Sequence, residues 1–260
     1  MTRNAIPPPL RIGCAGWSLP RDQWPHFSAE GSHLERYAER LRAVEIDTSF
    51  YRPHRRETYA RWAASTPAGF RFAVKLPKTI THERRLVDAM PLLDAFLAQV
   101  DGLGDKLGCL LAQLAPSMAF DAAATRRFLQ DMRKRHGGPM AMEPRHASWF
   151  TPEADALLDR HRIGRVLADP VLHDTATAPG GWPALVYLRM HGTPRVYWSA
   201  YDDALLVRVA QRLRQAQAEG AECWCVLDNT AGGAAVANAL TLSRLAAESF
   251  AQQPTETESP

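Results

Sequence analysis

The sequence predicts a single (β/α)8 barrel, the architecture also called a TIM barrel. The first observation is a rhythm in which a short apolar run gives way to a helical stretch eight times along the 260 residues. The second is that charged and amide residues concentrate where these runs end. The third concerns the first turn, where residues 13–17 read GCAGW instead of the glycine-rich GxGxxG of a dinucleotide-binding sheet. Together these observations favour the barrel over an open doubly wound sheet.

The eight apolar runs are the predicted strands. Buried parallel strands need an apolar body, so a polar residue placed at the exit end is not a packing requirement. The runs begin near Arg11, Ala43, Phe70, Gly108, Met140, Gly164, Ala184 and Glu222.

Helices are predicted in most intervals, because apolar residues recur there at three-and-four spacing. Thr151 followed by Pro152 is typical of a helix start, with a capping hydroxyl and a proline at the first helical position. The sixth interval differs, since residues 170–183 lack a helical period and contain Pro179, Gly180 and Gly181. We therefore expect the sixth helix to be shortened or missing.

One domain is predicted over residues 11–248. It is preceded by a flexible proline-bearing segment, residues 1–10, and followed by a disordered polar tail, residues 249–260. The net charge of +3 neither requires nor excludes a polyanionic partner. No run approaches the roughly 18 apolar residues of a membrane span, and all four cysteines fall in predicted strands. We expect a cytoplasmic protein without a membrane partner, and the oligomeric state stays open.

The phase of each strand predicts which side chains face the barrel interior. Phe72, Val74 and Leu76 are bulky and should face the helices, which leaves Ala73 and Lys75 inside. The same rule places the following residues at one shared mouth, at the carboxyl ends of the strands: Glu45, Lys75, Glu143, Arg145, Arg189, His191 and Asp228.

Carboxylates and cations buried together must pair with each other or be neutralised by a ligand. For acid–base chemistry, Glu45 or Glu143 is the expected base and Lys75 or His191 the expected acid. The predicted catalytic set is Glu45, Lys75, Glu143, His191 and Asp228. No cofactor is predicted. A divalent metal held by Glu45, Glu143, His191 and Asp228 is the open alternative, although the three nearby cations would repel it.

Substrate contacts are predicted around the same mouth. The turn that follows the eighth strand contains small residues before a helix, which is typical of an anion site. Aromatic side chains after the strands are suited to stacking a sugar or a base. The predicted substrate-binding residues are Asp47, Tyr51, Gln113, Arg145, Trp149, Asp169, Arg189, Asn229, Thr230 and Gly232.

Several of these motifs resemble the YecE-like family, also known as domain of unknown function seventy-two. The matching segments include EIDTSFY from Glu45, the FxVKxPxxITH motif from Phe72, ExRHxSW from Glu143, YxRxHG from Tyr187, and DNT at residues 228–230. The resemblance extends from about Arg11 to about residue 246 and implies a single TIM barrel. It implies no established reaction.

Three functions are compatible with these features. The favoured one is an enzyme that acts on an anionic small molecule, phosphorylated or sugar-like, by acid–base chemistry as a hydrolase, isomerase or lyase. The second is nucleic-acid binding, with or without metal-dependent phosphodiester cleavage as in apurinic-site endonucleases. The third is a non-catalytic binding barrel, because a fold alone does not determine a function.

Overall fold

The computed structural model describes residues 7–248, and a parallel β-sheet lies at its centre. Most strand residues are buried on both faces, as expected when a sheet is filled inside and covered by helices outside. The strands are β1 (Leu10–Ala15), β2 (Ala43–Ile46), β3 (Arg71–Lys75), β4 (Leu107–Gln113), β5 (Met140–Glu143), β6 (Ile163–Arg165), β7 (Leu167–Asp169), β8 (Gly180–Gly181), β9 (Leu185–Met190) and β10 (Glu222–Leu227).

The sheet closes into a barrel through one bent strand. β6 and β7 are its two halves, separated by Val166, and β6 pairs with β5 while β7 pairs with β9. The remaining parallel pairs run from β9 through β10, β1, β2, β3 and β4 to β5. The predicted (β/α)8 barrel is therefore confirmed.

Seven helices lie between the strands in the described part of the chain. They are α1 (His33–Arg40), α2 (Arg56–Ala64), α3 (Met90–Val100), α4 (Ala122–Arg135), α5 (Pro152–Arg160), α6 (Asp203–Ala218) and α7 (Ala235–Glu248). Between β7 and β9 the chain forms turns and the short strand β8, which pairs antiparallel with β6. The expected loss of the sixth helix is confirmed, and the predicted helix start at Thr151 also holds because its hydroxyl accepts from Ala154 N–H.

Two apolar layers follow the predicted strand phase. Phe72, Val74 and Leu76 pack in the outer layer between the sheet and the helices. Ala73 packs in the inner layer, which fills the barrel from inside. The inner layer consists of Ala43, Ala73, Cys109, Leu111, Ala141, Val166, Leu185, Tyr187, Trp224 and Val226.

Large rings fill the amino-terminal half of the barrel interior. The rings of Tyr187 and Trp224 stack nearly parallel, 9° from coplanar, with their centroids 5.9 Å apart. Gly108 makes room for this stack, because a Cβ at that position would lie 2.6 Å from the Trp224 indole. Trp182 packs against the same layer. Trp182 follows β8, and its N–H donates to the carbonyl of Ile163 at the start of β6. It therefore lies at the amino end of the barrel, although a ring that follows a strand in the sequence is expected at the mouth.

The predicted terminal segments lie mostly outside the described residues, whereas the predicted burial of the cysteines can be compared with the structure. Residues 1–6 and the predicted tail lie outside the described residues, whereas Leu10 already belongs to β1 and pairs with Cys223. The four cysteines are unpaired and buried in strands, as predicted. Within residues 7–248, no helix combines the length and the apolar character needed to cross a bilayer.

Candidate functional site

The carboxyl ends of five strands bring charged side chains to one mouth of the barrel. Glu45 lies in β2, Lys75 ends β3, Glu143 ends β5, and Arg189 lies in β9. Asp228 follows β10 directly. Because parallel strands all end at the same edge, these residues converge although they are far apart in sequence.

Arg189 is the centre of this charged cluster and has no exposed surface. Its Nη2 lies 2.6 Å from Glu45 Oε1 and 3.0 Å from Asp228 Oδ2, and its Nη1 lies 2.9 Å from Glu143 Oε2. Its Nε donates a further hydrogen bond of 3.2 Å to Glu45 Oε2. The donors of Arg189 thus all point to internal carboxylates, and its predicted role in binding substrate stays a prediction.

His191 extends the cluster between two carboxylates. Its Nδ1 lies 2.9 Å from Asp228 Oδ2 and its Nε2 lies 3.3 Å from Glu143 Oε1. Burial lowers the pKa of His191, but the hydrogen bonds to these carboxylates outweigh it and raise that pKa above the usual value. Arg145 Nη2 lies 2.5 Å from the same Glu143 oxygen, and 18% of the Arg145 side chain is exposed.

Glu45 and Asp47 have opposite pKa shifts although only one residue separates them. Burial, together with repulsion from the neighbouring Asp47, outweighs the attraction of Arg189 and raises the pKa of Glu45 to about 7. Burial also acts on Asp47, but Arg189 and Lys75 outweigh it and hold the pKa of Asp47 below its usual value. The Tyr187 hydroxyl donates to Glu45 Oε2 at 2.7 Å. Lys75 Nζ lies 3.3 Å from Asp47 Oδ1.

The four residues considered as metal ligands surround the Arg189 guanidinium. Glu45, Glu143 and Asp228 contact it directly, and His191 contacts two of these carboxylates. Across residues 7–248, no group of three or more histidine, cysteine, aspartate or glutamate side chains has an arrangement suited to a metal ion. The carboxylates converge on an organic cation supplied by the chain itself.

A cleft of about 460 Å3 opens at the mouth beside the ends of β1 and β2. Glu45 belongs to its lining although the side chain has no exposed surface, so it forms part of the floor. Asp47 lies next to it with 28% of its side chain exposed. The ring of Trp62 meets those of Trp17 and His54, each at a centroid distance of 5.0 Å. These three rings form one continuous wall of the cleft.

Four further predicted contacts lie at or near the mouth. Gln113 donates to Glu143 Oε2 at 3.0 Å and so belongs to the charged cluster. Tyr51 is 72% exposed, and Thr230 is exposed as well. Asp169 accepts hydrogen bonds from the hydroxyls of Tyr201 and Thr193, at 2.8 and 2.7 Å.

Two other predicted contacts are buried in the protein framework. Trp149 has no exposed surface, donates from Nε1 to the Met118 carbonyl and packs against Phe120. The short helical turn over Ala147–Trp149 directs its ring into the outer apolar layer. Asn229 is also fully buried and donates to Asn238 Oδ1 and the Ser199 carbonyl. Neither side chain has surface at the mouth, so the structure gives no support to these two predicted contacts.

At the turn after the eighth strand, where an anion site is predicted, three N–H groups are used within the protein. The N–H groups of Ala231 and Gly232 donate to the Tyr197 carbonyl, and that of Gly233 donates to the Thr230 carbonyl. A Cβ on Gly232 would lie 2.2 Å from the Trp198 carbonyl oxygen. The small residues at this turn therefore serve close backbone packing.

Sequence reasoning missed most of the cleft wall. His33, Arg52, His54 and Trp62 all line the cleft. The arginines within residues 52–56 are typical of a solvated basic face, and Trp62 lies nearly two turns into α2, far along the chain from the end of β2. Their shared position in the loops and helices after β1 and β2 is the signal that identifies them, since such loops form the mouth of a barrel.

Comparisons with known proteins agree with this architecture. The chain is 30% identical over 166 residues to the YecE protein of Escherichia coli, a match that covers 62% of this chain and 59% of that protein. It therefore spans about three fifths of the length of this curated relative. It is 25% identical over 235 residues to the YunF protein of Bacillus subtilis, covering 83% of this chain and 81% of that one.

A solved structure shows the same fold. The crystal structure of a DUF72 family protein from Enterococcus faecalis superposes with a TM-score of 0.77 at 22% identity, covering 92% of this chain and 95% of that chain. The family described as "Protein of unknown function DUF72" matches residues 11–260. With nearly the whole described barrel inside that match, the chain belongs to the DUF72 family.

Proposed function

We propose that the protein is an enzyme that acts by acid–base chemistry on a small anionic, sugar-like molecule held at the mouth of the barrel. The observation that carries this proposal is a cleft of about 460 Å3 whose floor contains Glu45 and Asp47. Their pKa values are displaced in opposite directions, Glu45 to about 7 and Asp47 below its usual value. Adjacent titratable groups with separated pKa values are typical of an acid–base pair.

Glu45 is the residue to which we assign proton transfer. A carboxyl group with a pKa of about 7 is populated in both forms near neutral pH, so it both accepts and donates a proton. The Tyr187 hydroxyl and the Arg189 guanidinium hold its two oxygens in place. Glu143 is the weaker candidate, since burial acts on it but Arg189, His191 and other partners hold its pKa well below the usual range.

Charge at the mouth supports an anionic substrate only through its more exposed cations. The guanidinium of Arg189 is hydrogen-bonded to internal carboxylates. By contrast, Arg145 is partly exposed, and Arg52 is exposed on the cleft lining. Asp47 stays ionised beside Lys75 and orients hydroxyl groups of the substrate. His191, between Asp228 and Glu143, holds Glu143 in its ionised form and so keeps Arg145 in position.

The test is turnover of a defined panel by the full chain. Ring and open-chain sugar phosphates and sugar acids are incubated with the protein in D2O and followed by proton NMR, which detects both new species and exchange of carbon-bound protons. We expect at least one compound to change, with the rate reduced at least about 100-fold in Glu45→Gln. Glu57→Gln, on the exposed face of α2, is the matched control.

Two results would overturn the proposal. One is a panel that the wild-type protein leaves unchanged. The other is a Glu45→Gln variant that turns over its substrate as fast as the wild type while keeping the same circular dichroism spectrum. Native mass spectrometry of freshly purified protein extends the panel, because a retained ligand gives the mass of a compound to include.

A further inference from the structure

The wall of the cleft points to the shape of the ligand. Trp17, His54 and Trp62 meet edge to face and together present ring surface to the cleft. Flat apolar surface of this kind binds the C–H face of a sugar ring, which open-chain compounds lack. The volume lies toward the lower end of the roughly 300–1,000 Å3 usual for ligand pockets, which favours a single ring.

Two residues of the cleft lining, Asp47 and Arg52, supply the polar groups that such a ring requires. Asp47 Oδ1 is buried 3.3 Å from Lys75 Nζ, whereas 28% of the Asp47 side chain as a whole is exposed and can meet a ligand. An ionised carboxylate with spare acceptor capacity binds hydroxyl groups well. Arg52 is exposed on the lining, where a guanidinium matches the geometry of a phosphate or carboxylate.

We propose that the cleft binds a monosaccharide in its ring form that carries one anionic substituent, phosphate or carboxylate. The ring lies against Trp17 and Trp62, its hydroxyls reach Asp47, and the anionic group meets Arg52. This inference rests on the proposed acid–base function, because Glu45 and Asp47 belong to both. It adds the ring, the single anionic group and the residue that binds that group.

Isothermal titration calorimetry on the full chain separates the contributions of ring and charge. The probes are glucose 6-phosphate, glucuronate, glucose, glycerol 3-phosphate, inorganic phosphate and AMP. We expect glucose 6-phosphate or glucuronate to bind at least about tenfold more tightly than glucose, glycerol 3-phosphate and phosphate. Which of the two binds better identifies the anionic group as phosphate or carboxylate.

Matched variants test the two assigned contacts. Arg52→Gln is expected to weaken binding of the ring anion about tenfold and to leave glucose unchanged. Arg55→Gln, an exposed arginine three residues further on, is expected to change neither. Trp62→Ala is expected to remove the preference for the ring, whereas Trp198→Ala, an exposed ring outside this cleft, keeps it. Trp17→Ala provides a second test of the wall if Trp62→Ala does not fold.

Several outcomes contradict the proposal. They are binding of glycerol 3-phosphate or inorganic phosphate as tight as that of the ring anions, tighter binding of AMP, no binding by any probe, or equal losses in Arg52→Gln and Arg55→Gln. Binding and turnover distinguish the two proposals. A ring anion that binds as predicted without being converted supports this inference and contradicts catalysis. If only open-chain compounds are converted, catalysis is supported and this inference is contradicted.

Discussion

The two ends of the barrel interior are filled in contrasting ways by the same strands. At the amino end, β9 and β10 place Tyr187 and Trp224 in a stacked pair among small apolar side chains. At the carboxyl end, two residues further along β9, Arg189 lies among carboxylates. The amino end is filled mainly by rings and aliphatic groups, with the ion pair of Arg11 and Glu222 beside Trp224.

Filling the barrel therefore does not by itself call for the larger charged cluster at the mouth. Each buried charge costs several kcal/mol of solvation, which is recovered only if its partners stay in place. Four carboxylates gather at the mouth, whereas within residues 7–248 the amino end holds one partly buried ion pair, that of Arg11 and Glu222. The boundary between the two regions is Tyr187, whose ring stacks on Trp224 and whose hydroxyl donates to Glu45.

The largest expected effect is that of Arg189→Met. It leaves Glu45, Glu143 and Asp228 buried without their shared cation, so we expect a loss of roughly 3–5 kcal/mol in the free energy of unfolding at pH 7.5. Urea denaturation measures it, with the exposed helical residue in Arg208→Met as control. The loss should shrink toward pH 5 as the carboxylates take up protons. A loss that is small, or the same at both pH values, would show that the carboxylates do not depend on Arg189.

The second effect concerns Glu45→Gln and has a defined sign. The folded pKa of Glu45, about 7, lies above its ordinary value of 4.5, so the folded state binds this proton more tightly. Glu45 therefore stabilises the fold below about pH 4.5, and this contribution is lost as the pH rises through about 7. Relative to Glu45→Gln, the wild type should lose up to about 3 kcal/mol between pH 4.5 and pH 7.5.

Urea denaturation of both proteins across this pH range measures the difference. Most other titrating groups are common to the two chains, and the groups acting on Glu45 are Arg189, Asp47, Lys75 and Asp228. Parallel stability curves for wild type and variant would mean that Glu45 titrates at an ordinary value, which removes the contrast with Asp47.

The third effect tests the amino end. Trp224→Leu removes one ring of the stack and is expected to cost about 2–3 kcal/mol, because the surrounding strands cannot close the space completely. Unlike the loss in Arg189→Met, this loss should change little between pH 5 and pH 7.5, since packing does not titrate and Trp224 makes a single hydrogen bond to a carboxylate, from Nε1 to Glu222 Oε1. A strong pH dependence would show that the two halves of the interior are not separable.

Strand phase was readable from the sequence because bulky and small residues alternate. Phe72, Ala73, Val74 and Lys75 show this alternation, and it correctly placed the charged residues on one mouth. The pairing inside the mouth was not readable, since the same residues are compatible with a free Arg189 and with one that is internally bound. That choice depends on small differences in the position of the side chains within the mouth. The alternation of bulky and small residues does not encode such differences.

The cleft was equally beyond sequence reasoning. It forms where Trp17, after β1, meets His54 and Trp62, which belong to the connection and helix after β2. Loop conformation determines this meeting, and periodicity carries no information about loops. Trp149 shows the same dependence on loops, because its position after a strand suggested the mouth, while a short helical turn directs the ring into the outer layer.

The smallest effect lies at the boundary, in Tyr187→Phe. The variant keeps the stack on Trp224 and removes only the hydroxyl that donates to Glu45. Loss of a hydrogen bond to an ionised carboxylate should cost about 1.5 kcal/mol at pH 8, where Glu45 is ionised. Since that donor favours the charged form, its removal should raise the pKa of Glu45 further and shift the pH profile of stability upward. Unfolding curves at pH 5 and pH 8 measure both effects. A loss of the same size at pH 5 would assign Tyr187 to the apolar end alone, because its hydroxyl would then make no distinction between the two forms of Glu45.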